Sequence, residues 1–568
     1  MIRRQEQPTV WWAFAALGIG IVGVPVMWAL MFVNKYWGLP SGPPMYVNWS
    51  HALVCLAPWD VLECRYFFSY NGYQNMRKIT TYQLITFAPL IIGFGIFAFG
   101  VWQRWLRQKE RHILAGPTVA GYPELVAEAR KEQRKGGLPV YGDWAISDLR
   151  ALNGMIVFGG QGSGKTNFLR HLLQSVTDAG DRKIVYGYKP HVYALMPAGQ
   201  PMSIDPRGAG IYVNPADKRS WVWAIARDVQ TRADCINLAM NLIKNKDYLY
   251  FEQAGQSVAA VVIIMLHDRK PGRWTWSDLF ESFTASKEEL TEWAKEYHPA
   301  ALTYLIADEK QWSSTRSGIQ NSINNFELLS IGWGDYAGRK QFSIREFMQG
   351  GNLPNTITVG HSGRFSEMSG SWIAAFFSIA ANSVFNEDFQ QPDGKRTWFF
   401  LDEFARLAKI DGLEQLVSAG RERGAPVVIG LQDFHAVEKV YGPEAFKTWM
   451  SSIQTKVVCR TEPGETASWL MRILGSTRIK ELRTKPGQNG PVKEWHEYED
   501  NAFRESEMSS ELGVVPNVGT WVMVLGYGRD LFQILVPFID RTELRPGYEE
   551  AEWIKAKPVQ KRKPEPVE

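Results

Sequence analysis

Cysteine and histidine are scarce, 4 and 9 in 568 residues. None falls at metal-ligand spacing, so the nine histidines read as ordinary core and surface residues. A large excess of either charge is also missing. Against 63 Lys and Arg stand 59 Asp and Glu, a formal net charge of +4, which permits a DNA-neutralising surface without announcing one. No "LSGGQ"-type signature occurs, which disfavours an ABC transporter. What is present, 45% apolar and 21% charged residues, describes a mostly soluble protein rather than a membrane bundle or a disordered chain. The length predicts two or three folded units.

The apolar residues are unevenly spread. Val10 to Val33 and Ile79 to Gln103 each carry two dozen or so residues without the charge that would forbid a helix across about 30 Å of hydrocarbon. Trp11, Trp12, Trp37, Trp102 and Trp105 stand at their edges, where amphipathic rings favour the interface. A cleaved signal peptide and a buried core helix are the alternatives. The first run exceeds the usual signal-peptide core, and no small-residue cleavage site follows it. Arg3 and Arg4 before the first run, and Arg104, Arg107, Lys109 and Arg111 after the second, place both ends in the cytoplasm. The expected order is a cytoplasmic N-terminus (1–9), a span (10–33), a periplasmic loop (34–78) and a second span (79–103). Cys55 and Cys64 fall in that loop, where a disulfide or two free thiols are both open; Cys235 and Cys459 would stay reduced.

A charged linker, 104–140, precedes alternating strands and helices. "MIVFGG", "KIVYGY", "TITVG", "TWFFLDE", "APVVIGLQ" and "TKVVC" are short apolar runs bounded by turn residues, as expected of a parallel sheet covered on both faces. The sheet domain is assigned to 141–228 and 333–541. Between them, 229–332 is rich in helix formers, and Ser286 to Glu289, "SKEE", has capping-box spacing, so an all-α insertion is predicted. The proline-rich, charged end, 542–568, reads as a disordered tail.

Gly159 to Thr166, "GGQGSGKT", follows a strand and opens a helix, the context that a phosphate-binding loop requires. Backbone N–H groups of Gly159, Gly160, Gln161, Gly162, Ser163 and Gly164, with the positive helix end, would cradle the phosphates of ATP. Lys165 would reach the β- and γ-phosphates and Thr166 would ligate Mg²⁺. In "WFFLDEFARL", four apolar residues precede paired acids. Asp402, at the end of a neighbouring strand, suits the metal ion, and Glu403 suits the attacking water. Gln432 ends another strand and could sense the γ-phosphate. Arg421 or Arg423 could reach into a neighbouring subunit's site, although a solvated loop arginine is the plainer reading of either.

The order of these features resembles the coupling proteins of type IV secretion and conjugation, the TraD/TraG group of membrane-anchored ATPases. Two N-terminal apolar runs, "GGQGSGKT", "YVNPADKRSWVW" (212–223), "FSIREFM" (342–348), "WFFLDEFARL" and "AGRERGAPVVIGLQDFHAVEKVYG" (419–442) carry the resemblance over nearly the whole chain. It implies an α/β fold: a RecA-like P-loop NTPase domain with an all-α inserted domain, preceded by two transmembrane helices. It further implies a homo-hexamer in the bacterial inner membrane that hydrolyses ATP under DNA stimulation. Such a protein recruits and pumps single-stranded DNA with its attached relaxase, working with double-stranded DNA, accessory DNA-processing proteins and the secretion channel. Arg421 matches the family's arginine finger and Gln432 its strand-end glutamine. One departure stands out: many members have an aspartate after the second strand, where this chain has "YGYKPHVY" around Lys189. A coupling ATPase for protein cargo alone, a non-motor receptor and an FtsK-like DNA translocase stay open.

Overall fold

In a computed structural model of the chain, the described residues are 111–555 apart from 134–136, 190–191, 193–209, 245–248, 307–308, 335, 388, 390–394, 488–489 and 540–543, together with residues 18, 21, 22, 88 and 90–99. The predicted spans lie almost wholly outside them. What is described of the second is the short apolar helix Leu90–Phe99, with Ile91, Ile92 and Phe94 exposed. Among the described residues the one helix long and apolar enough to cross a bilayer is Leu249–Arg269. Its Val258 to Ile264 run is fully enclosed by protein, so it is a core helix.

The chain divides into two compact units, one of residues 119–475 and 503–568. Its centre is a sheet of β1 (Val119–Ala120), β2 (Met155–Phe158), β3 (Arg182–Gly187), β4 (Ile211–Val213), β5 (Thr356–Gly360), β6 (Thr397–Leu401), β7 (Val427–Leu431), β8 (Thr455–Val458), β9 (Gly513–Val515), β10 (Gly519–Leu525) and β11 (Leu531–Pro537). The order is β1-β11-β10-β8-β2-β7-β6-β3-β5-β4, with β9 beside β10. From β8 to β4 all neighbours are parallel. Every residue of β2, β3, β5, β6 and β7 is buried, because helices cover both faces and leave no solvent side to alternate toward. Two expectations need correction. The sheet is mixed, since β10 runs antiparallel to β8 and β11. The acid-bearing β6 is not next to the phosphate-loop strand β2, because β7 lies between them.

Between Trp223 and Gln341 the described residues form helices joined by turns, and the segment leaves and rejoins the sheet unit through a parallel pairing of Val222–Trp223 with Gln341–Phe342. Thr231 with Asp234, Thr275 with Asp278 and Ser286 with Glu289 form capping boxes, each supplying partners to amides that a helix start leaves unpaired. A chain of buried indoles, Trp223, Trp276, Trp333 and Trp372, with centroids 5.7, 5.7 and 5.1 Å apart, joins these helices to the sheet unit's helix Ser366–Ser383. Asp228 closes the junction. Its carboxylate accepts from the Trp223 indole at 2.6 Å, the Ser343 hydroxyl at 2.7 Å and the Ile344 and Arg345 amides at 3.1 and 2.8 Å, which explains the "FSIREFM" stretch.

The other unit holds, in its described part, the strand Arg111–Ala115 against a long hairpin, Ser476–Gly487 with Gly490–Asn501. This corrects the assignment of 333–541 to the sheet domain, since residues 476–502 belong to the other unit. The structure also replaces the expected 104–140 linker: beyond Arg111–Ala115, β1 joins the sheet and Tyr122–Glu132 is a helix with Leu125 and Ala129 in the core. Part of the expected disordered tail is likewise ordered. The Trp553 indole donates to the Pro215 carbonyl at 2.9 Å, the Tyr548 hydroxyl to that of Ala216 at 3.0 Å and the Glu549 amide to Asp217 at 2.9 Å. Tyr548, Ala551 and Trp553 give this polar stretch the anchors that composition alone obscured.

Candidate functional site

The loop between β2 and the helix α1 (Lys165–Asp178) is built by glycine. Gly162 and Gly164 have φ of +71° and +95°, values that side chains resist. A Cβ on Gly164 would stand 2.2 Å from the Thr520 methyl. The Gly159 amide donates to the Leu431 carbonyl at 3.0 Å and that of Gly160 to the Arg460 carbonyl at 2.9 Å, tying the loop to β7 and to the end of β8. Lys165 begins α1 and folds its ammonium back onto the Gly159 carbonyl at 2.6 Å. Burial pushes its pKa down, opposed first by the nearby Asp402 charge.

Asp402 and Glu403 leave β6 at the same sheet edge. Burial pushes the Asp402 pKa up, against the pull of Lys165, and one of its oxygens accepts the Glu403 amide at 3.1 Å. Gly430, in the intervening β7, makes room: a Cβ there would sit 3.0 Å from that oxygen. Glu403 has φ of 53° and ψ of 46°, a left-handed conformation that costs a side-chain-bearing residue about 1–3 kcal/mol and collects at functional sites. Its carboxylate is fixed from two sides. Oε1 accepts from the Gln432 amide at 3.1 Å and pairs with the Lys189 ammonium at 2.9 Å.

A cleft of about 430 Å³ is lined by Gly160 to Asn167, Arg170, Lys189, Asp402, Glu403, Gln432, Val514 and Phe538. The structure therefore brings together the predicted loop residues from Gly160 to Thr166, both acids and Gln432. Arg421 is elsewhere. It is exposed in the turn Gly420–Arg423, ahead of β7 and beside Asp148–Leu152, so it lies at the edge of the sheet opposite to Lys165 in its own chain. Sequence reasoning missed the role of Lys189 in this cluster. The departure from the family pattern marked its position but not its partner, because "YGYKP" and "LDEF" are remote in sequence.

A parallel sheet whose strand ends gather a glycine-rich loop, a buried lysine and two acids defines a P-loop nucleotide-binding protein of the α/β class. Within that class the particular lineage is clear: residues 144–532 match the type IV secretion-system coupling protein DNA-binding domain, and the chain belongs to that family. Coupling protein TraD of Escherichia coli (strain K12) is 22% identical over 390 residues, 68% of this chain and 52% of that protein, so the chain spans about half the length of that relative. Among solved structures, the sulphate-bound trigonal form of the bacterial conjugative coupling protein TrwB superposes with a TM-score of 0.62 at 17% identity, covering 78% of this chain and 98% of that one. The plasmid coupling protein TrwB in complex with ADP and Mg²⁺ gives 0.60 at 17% identity, over 77% and 98%. These likenesses establish the fold.

Proposed function

We propose that this chain is a membrane-anchored coupling ATPase of conjugative transfer, which recruits single-stranded DNA with its attached relaxase and drives it toward a type IV secretion channel. The observation that carries the reading is the single cleft uniting the phosphate loop with Asp402, Glu403 and Gln432 in a chain of the coupling-protein family. The TrwB complexes with ADP and Mg²⁺ and with ADPNP support nucleotide binding in this cleft. The apolar runs 10–33 and 79–103 support an inner-membrane anchor with the sheet domain in the cytoplasm.

In this reading the amides of the glycine loop and the start of α1 bind the phosphates, and Lys165 leaves the Gly159 carbonyl for them. The donor set fits Mg²⁺: Thr166 and Asp402 offer hard oxygens on one cleft and would hold the ion there. When bound, it would neutralise phosphate charge. Glu403, its carboxylate held by Gln432 and Lys189, takes the proton of the attacking water. Gln432 keeps that carboxylate in place. Arg421, exposed at the other sheet edge, is free of its own site and suited to a neighbour's in a homo-hexamer.

The test is ATP turnover of the purified chain with and without single-stranded and double-stranded DNA, at low and moderate salt. Stimulation by DNA that falls with salt and vanishes in Lys165→Ala is expected. Turnover indifferent to DNA under every condition overturns the DNA motor and favours protein cargo.

A further inference from the structure

We propose that Lys189 is a positioning residue for the hydrolytic centre: it holds the Glu403 carboxylate while the terminal phosphate is absent, and exchanges that carboxylate for the γ-phosphate of a bound nucleoside triphosphate. The inference rests on the nucleotide reading above and goes beyond it by assigning phosphate discrimination to a residue outside the phosphate loop.

Four observations carry it. Lys189 follows the end of β3 and lines the same cleft as the phosphate loop. Its ammonium is 2.9 Å from Glu403 Oε1, with the lysine side chain 42% exposed and the glutamate only 9%. The cation therefore stands at the mouth and the acid inside. The acid has a second holder, since Gln432 donates to the same oxygen at 3.1 Å, so Glu403 keeps a partner when the lysine departs. Finally, Lys165 and Lys189 face Asp402 and Glu403, two positive charges against two negative ones, with Lys165 occupied by the Gly159 carbonyl.

A γ-phosphate brings further negative charge into this balanced set. A lysine on a flexible four-carbon stem, with three donors and no fixed fork, readily changes acceptors. Glu403 is buried and held by Gln432, whereas the lysine side chain is 42% exposed; the mobile partner is thus the lysine. The exchange therefore couples arrival of the triphosphate to release of the Glu403 carboxylate from the lysine, with Gln432 still holding it. ADP offers no γ-phosphate and leaves the pair intact.

Equilibrium binding of ADP and of ADPNP to the full-length chain in detergent tests this, with Lys189→Met, Lys189→Arg and Glu403→Gln measured alongside wild type. The expected result for Lys189→Met is about tenfold weaker ADPNP binding, equivalent to about 1.4 kcal/mol, with ADP binding changed less than about twofold, and a KM for ATP raised by a similar factor. Lys189→Arg should restore the preference, because it keeps the charge. Equal losses for both nucleotides in Lys189→Met, or no loss for either, overturn the proposal. The failure of the broader reading looks different: wild type that binds neither nucleotide overturns both, whereas wild type that binds and hydrolyses ATP beside an indifferent Lys189→Met overturns the lysine assignment alone.

Discussion

Glu403 shows how closely a single side chain is placed in the cleft. Its left-handed backbone, its place inside the cleft and its two nitrogen partners together aim one carboxylate. Glu403→Gln keeps the shape and removes the proposed base, so turnover should fall by about 10²–10⁴-fold while ADPNP still binds, no more weakly than to wild type, as read by steady-state kinetics beside calorimetry. Gly164→Ala acts on the loop instead. The φ of +95° and the 2.2 Å approach to Thr520 leave no space for a methyl, so nucleotide binding should be lost while the sheet unit stays folded by circular dichroism. Asp402 makes the cleft sensitive to pH. Burial raises its pKa in the folded protein, so between the unfolded value near 4 and the folded one the native state holds a proton that the unfolded state has released. Its contribution to stability is therefore complete below that window and is lost as pH rises through it. Mg²⁺ needs the ionised form, so thermal denaturation with and without Mg²⁺ should show the ion stabilising the protein more as pH climbs through the same window.

Elements were legible where burial wrote a simple pattern. The six apolar runs read from the sequence became β2, β3, β5, β6, β7 and β8, since strands covered on both faces are mostly apolar, with Arg182 and Lys183 buried at the start of β3 as exceptions. Ser286 and Glu289 form the capping box their spacing suggested, with bonds of 3.2 and 2.9 Å. The three-residue β4 escaped notice because it is too short to show a period. The hairpin of 476–501 escaped for another reason: its charged residues pair across the ladder, as Lys485 does with Glu494 at 2.8 Å, and such a pattern resembles loop more than strand. The cleft was legible in its loop and acids, which are contiguous motifs, and illegible in Lys189, whose meaning depends on a contact far along the chain. Asp228 belongs to the same class of hidden residue. It satisfies four donors at the junction of the helical segment with the sheet unit, and Asp228→Ala leaves them buried without a partner. A loss of about 2–4 kcal/mol is expected. Hydrogen exchange should speed first in Ile344–Met348, the helix that Asp228 caps.

At the scale of the whole molecule, the placement of Arg421 bears on assembly. The nucleotide cleft lies at the carboxyl ends of the parallel strands, and Arg421 is exposed in the turn that precedes β7, at their other ends. No subunit can then serve its own cleft with its own Arg421 without unravelling the sheet. A head-to-tail interface closing into a ring presents one edge of each subunit to a different edge of the next, the arrangement in which an arginine from one chain can complete the cleft of another. This makes a test with mixed subunits decisive. Glu403→Gln and Arg421→Ala should each be nearly inactive alone, the first for want of a base and the second for want of the arginine. Mixed one to one, they form some interfaces in which an intact Arg421 from the Glu403→Gln chain meets an intact Glu403 from the Arg421→Ala chain, roughly a quarter of the total under random heterologous assembly. ATP turnover should accordingly recover to a clear fraction of wild type on mixing, and to a greater extent than in either variant at the same concentration. A mixture as inactive as its parts would place the work of Arg421 outside catalysis altogether.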